Sequence, residues 1–65
     1  MEEVERIDGK IILVRGVSKK SDKPYLAIAL DTTVDTKILT FDKLTIMRIC
    51  DLSPNQYDEI LYKEE

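Results

Sequence analysis

Two periods of hydrophobic pattern divide this chain. From Lys10 to Phe41 the apolar residues come in short, β-like runs separated by polar turns; from Asp42 onward they recur at helical spacing. The first run, Lys10 to Val17, is apolar without a break from Ile11 to Val14. Ile11 and Leu13 point one way, and Ile12 and Val14 the other. Such a strand is expected to be covered on both faces, or to be central with a partner chain behind it. Ser18 to Lys23 forms a turn rich in Ser, Asp and Lys, and Pro24 closes it. Proline lacks a backbone donor and so suits the beginning of a strand. The second strand, Tyr25 to Asp31, alternates Leu26, Ile28 and Leu30 with Tyr25, Ala27 and Ala29. One face is heavy and the other small, and the small face is the one expected to lie under a helix. Asp31 to Asp35 turns the chain again, and Thr36 to Phe41 is the third strand. Three strands with short connections make an antiparallel meander.

The helical part begins at Asp42, whose carboxylate suits a helix cap. Leu44, Ile46, Met47, Ile49 and Cys50 give a wide apolar arc, so this helix is expected to be mostly buried. Ser53-Pro54-Asn55-Gln56 is a capping box with proline at the first helical position. Leu52 and Tyr57 stand at the spacing of a hydrophobic staple, and Ile60 and Leu61 extend the face of Tyr57. Lys63, Glu64 and Glu65 are expected to fray. The pattern predicts one α+β domain over residues 1–65: a three-stranded antiparallel β-meander followed by two C-terminal helices, in two layers.

Composition narrows the chemistry. At 65 residues, 43% hydrophobic and 35% charged, the chain is ordinary for a small globular domain. A chain this short buries only about 60% of its unfolded surface, which makes self-association as a homodimer an accessible source of stability. No apolar run is long enough to span a membrane. The acidic start, Met1-Glu2-Glu3-Val4-Glu5, is unlike a signal peptide, and the single Cys50 offers no internal disulfide. These features point to the cytoplasm. Histidine is absent, which removes the usual general base and the commonest metal ligand. Cys50 reads as a buried structural thiol. Asp31, Asp35 and Asp42 read as turn formers and a cap, and the only glycines, Gly9 and Gly16, make no phosphate-binding loop. The expectation is a protein that is not an enzyme and carries no metal or cofactor.

The net charge of −3 is unevenly spread. Residues 10–25 carry Lys10, Arg15, Lys19, Lys20 and Lys23 against Asp22 alone, while the flanking segments are acidic. Cations gathered at a hairpin tip suit phosphates, and an aromatic beside them can stack on a base. Arg15, Lys19, Lys20, Lys23 and Tyr25 are therefore the candidate nucleic-acid-binding residues, for a single-stranded or double-stranded partner. The segment Gly16-Val17-Ser18-Lys19, followed by Lys23-Pro24-Tyr25, resembles the single-stranded-DNA-binding proteins of filamentous phages. That resemblance implies phosphate contact by Lys19, a place in a DNA channel for Tyr25, and a phage or mobile-element origin. It covers about ten residues; the turn is one residue longer than the family's, and Ser21-Asp22 replaces its glycine.

Leu44 to Ser53, continuing to Ile60-Leu61, resembles a helix-turn-helix with Asp51 in place of the turn glycine. It implies that Asn55 and Gln56 face a major groove. The same spacing also suits a two-helix corner built only for packing. Asp58, Glu59, Glu64 and Glu65 on that helix oppose phosphate. They suit instead an acidic protein–protein interaction module or inhibitor, docking Tyr57 and Tyr62 on a basic partner.

Overall fold

The computed structural model describes residues 2–7, 9–31 and 34–63, the side chain of Glu2 excepted. Four strands, β1 (Glu2–Arg6), β2 (Ile11–Val17), β3 (Pro24–Asp31) and β4 (Thr36–Leu39), are followed by helices α1 (Lys43–Cys50) and α2 (Pro54–Leu61). The strands form one antiparallel sheet in sequence order. The α+β class and the two helices are as the pattern predicts. The strand count is corrected from three to four.

The missed strand is β1. It carries one apolar residue, Val4, among Glu2, Glu3, Glu5 and Arg6, so it shows no alternation to find. A register shift between Glu3 and Glu5 leaves Val4 as an extra residue, half-buried against the core. Its charges suit an edge strand, since they discourage pairing with another chain. The chain's own N-terminal segment thus supplies the neighbour that makes β2 central. Of the turn expected over Asp31 to Asp35, Thr32 and Thr33 lie outside the described residues, as do Glu64 and Glu65 of the expected frayed end.

Register decides which residues share a face. Leu13 lies opposite Ile28, Ile11 opposite Leu30 and Arg15 opposite Leu26. Leu13, Leu26 and Ile28 pack with Ile46 of α1 and with Tyr57 and Leu61 of α2. The helices therefore cover the heavy face. The small face, with Ala27 and Ala29, lies on the other side with Val14, Ile12 and Tyr25, and no described helix residue joins that cluster. This reverses the expected arrangement. Leu26, Ile28 and Leu30 present more apolar area than the alanines, and burying area is what the helices gain by docking.

α1 is less buried than its arc predicts. Ile46 is fully enclosed, Met47 and Cys50 are half-buried, but Leu44 is 70% exposed and Ile49 is also exposed. Its ends are well determined. Asp42 accepts from the Thr45 N–H at 2.8 Å, and hydrogen bonding by the Thr45 side chain, followed by that backbone bond, holds its carboxyl below the usual carboxylate range. Asp51, with φ 54°, closes the helix in the left-handed region where glycine is commonest.

α2 has the predicted capping box. Ser53 Oγ accepts from the Gln56 N–H at 3.2 Å, and Gln56 Oε1 accepts from the Ser53 N–H at 2.8 Å. Leu52 and Tyr57 join the same cluster, as a staple requires. Replacing Ser53 with alanine frees one donor and is expected to cost about 1 kcal/mol, seen as a lower urea midpoint with an unchanged slope. Lys43 ties the helices together, 3.4 Å from Asp58 and 5.1 Å from the ring centre of Tyr57. Both charges are half-exposed, so this pair contributes at most about 1 kcal/mol.

Candidate nucleic-acid interface

The loop between β2 and β3 is closed by its own backbone. Ser18 N–H donates to Lys23 C=O at 3.0 Å, and Asp22 N–H donates to Ser18 C=O at 2.8 Å. Asp22 takes φ 56°, a conformation aspartate tolerates in turns. Pro24 opens β3 opposite Val17, as its missing donor requires. Lys19, Lys20 and Lys23 all stand exposed on this loop.

Beside the loop lies an open depression of about 880 Å³ lined by Val17, Ser18, Lys19, Lys20, Tyr25 and Thr40. Tyr25 lies opposite Gly16, which puts its ring on the small face of the sheet with no side chain across from it. The two lysines thus border a partly apolar hollow that contains one aromatic ring. A phosphate can sit against the ammonium groups while a base lies on the ring. Sequence reasoning did not find Thr40. It reaches the hollow only because β4 pairs beside β3, with Leu39 opposite Ile28.

The five candidate residues do not all meet. Lys19, Lys20 and Tyr25 border the depression; Lys23 is exposed on the same loop but does not line it. Arg15 lies on the other face. It shares the side of Leu13, and its Nη1 donates to the carbonyl oxygens of Ile60 at 3.4 Å, Leu61 at 3.5 Å and Lys63 at 2.5 Å. A guanidinium there satisfies the last carbonyls of α2 and opposes the negative end of its dipole. Its place in the fold is structural.

The helical pair offers less. Gln56, expected at a major groove, spends its amide oxygen on the cap of its own helix, while Asn55 is exposed. Tyr57 is buried against the sheet and is closed to a docking partner; Tyr62 is exposed. Among the described residues no group of His, Cys, Asp and Glu could hold a metal ion, and no helix is long and apolar enough to cross a membrane. Cys50 is half-buried rather than fully enclosed, and burial followed by the charge of Glu5 pushes its thiol up. It should alkylate more slowly than free cysteine at pH 7.5, with a rate still rising above the usual thiol range. A rate equal to that of free cysteine would contradict this placement.

No protein family, curated protein or solved structure matches the chain.

Proposed function

We propose that this is a small accessory nucleic-acid-binding protein, without enzymatic activity, acting in the cytoplasm and of phage or mobile-element type. The observation that carries the reading is the meeting of Lys19, Lys20 and Tyr25 around one open hollow at the tip of the β2–β3 hairpin. The lysines supply phosphate attraction, and Tyr25 supplies a stacking surface worth about 1–3 kcal/mol per base. Lys23 adds charge on the same loop. The acidic remainder of the chain keeps the affinity low, and so few phosphate contacts keep its salt dependence shallow.

Fluorescence anisotropy with a labelled oligonucleotide at several salt concentrations tests this. Three lysines on a single strand predict a slope of about −2 in log affinity against log salt. A salt-independent signal would point away from phosphate contact.

A second reading rests on Tyr62, which is exposed at the end of a helix that also exposes Asp58 and Glu59. An acidic rim around an aromatic suits a basic protein surface. On that reading Tyr62→Ala weakens partner binding, and changes at Lys19 and Lys20 leave it intact.

A further inference from the structure

The two edges of the sheet are unlike. Glu3, Glu5 and Arg6 are exposed along β1, and its register is broken by a bulge. Both devices oppose pairing with another strand. The β4 side instead gathers exposed apolar residues in and beside the strand: Val34 at 93%, Ile38 at 45% and Phe41 at 39%. Among the described residues of β4 itself, its shortness and its one cation, Lys37, are the protections present.

The direction of the β4 backbone follows from the hydrogen bonds. Asp31 N–H donates to Lys10 C=O, so Asp31 and Ala29 turn their backbone groups toward β2. Leu30 and Ile28 then face β4, and they pair with Lys37 and Leu39. Thr36 and Ile38 are left with their N–H and C=O groups directed outward. The Thr36 N–H is already taken by Asp35 Oδ1 at 2.8 Å. The outward groups of Ile38 have no such local partner among the described residues.

We infer that β4 is a self-association edge, and that its occupant is the β4 strand of a second copy, antiparallel, with the two-fold axis at Ile38. This register suits the groups present. Each Ile38 N–H donates to the other copy's Ile38 C=O, and Asp35 keeps its bond to Thr36. The two Ile38 side chains meet on the small face, which becomes continuous across eight strands. Lys37 lies opposite Leu39 of the second copy rather than opposite the other Lys37, so like charges do not face each other. Val34 of one copy approaches the Phe41–Asp42 turn of the other. A foreign strand would gain the same backbone bonds; what favours an identical one is that β4 is self-complementary about Ile38, its single cation meeting leucine rather than its own copy. The interface is small, which puts dissociation at roughly micromolar or weaker.

Sedimentation equilibrium of the intact chain from 10 µM to 1 mM (roughly the range such an interface requires) tests the pairing. The expected result is a monomer–dimer equilibrium that Ile38→Lys weakens at least tenfold while the circular dichroism spectrum is unchanged. Mixed labelled and unlabelled protein should show Ile38-to-Ile38 contacts between chains by filtered NOE spectroscopy. A monomer throughout the range overturns the inference. So does a dimer that survives Ile38→Lys, or one whose interchain contacts lie on β1 or the helices. If Ile38→Lys fails to fold, Ile38→Thr keeps the β-branched shape and should still weaken the dimer.

Discussion

Truncating Leu13 to alanine is expected to remove about 2–5 kcal/mol of stability, the largest effect of any single change in this domain. Leu13 is 0% exposed, at the centre of β2, opposite Ile28 and beneath Ile46, Tyr57 and Leu61. It thus touches both layers, and the cavity left by alanine is walled by strand on one side and helix on the other. Neither side collapses easily. The total stability of a chain this size is about 3–10 kcal/mol, so the variant should lose roughly half of it and its urea midpoint should fall in proportion. Urea denaturation checks this, with Leu44→Ala as the control. Leu44 is mostly solvent-exposed, and its truncation should change stability by no more than about 0.5 kcal/mol. A Leu13→Ala loss as small as that of Leu44→Ala would place the core elsewhere.

Reversing two charges at the hairpin, Lys19→Glu with Lys20→Glu, is expected to reduce oligonucleotide affinity by about 100-fold at low salt, with the fold intact. Two attractions to phosphate become two repulsions, and one log-affinity unit per reversed site is a modest share of what such contacts contribute. Both side chains are exposed on a loop held by its own backbone bonds, so the thermal midpoint should stay put. Arg15→Gln provides the contrast. It removes the cap on α2 and should cost about 0.5–2 kcal/mol of stability, with little direct effect on binding. Equal binding by the double variant and the parent would separate the hairpin from any nucleic-acid site. Loss of binding by Arg15→Gln in a fully folded protein would mean that the helix-covered face takes part.

The sequence carried the later strands and both helices because their signals are local. Alternation from Tyr25 to Asp31, Asp42 as a cap and the Ser53 box each need only neighbouring residues to be recognised. β1 was not legible because its pairing is stabilised by β2 rather than by its own composition. The choice of covered face was not legible either. Small residues suit close helix packing, but here the larger apolar area of the heavy face prevailed. The place of Arg15 was legible in principle. It has the same parity as Ile11 and Leu13, and so belonged with the heavy face once that face was known to be covered. Charge clustering along the chain grouped it with Lys19 and Lys20, although its side chain lies on the helix-covered face while theirs border the hollow. Thr40 depended on the β3–β4 register, which no local pattern encodes.

Nucleic-acid binding at the hollow of the hairpin tip is open to a direct test. A two-dimensional amide NMR titration with a short single-stranded oligonucleotide at low salt, repeated with a duplex, tests it most directly. Perturbations confined to residues 17–25 and Thr40 are the predicted result, and the ligand giving the larger change identifies the preferred strand form. No perturbation with either ligand, or perturbation centred on Asn55 and Gln56, would contradict it.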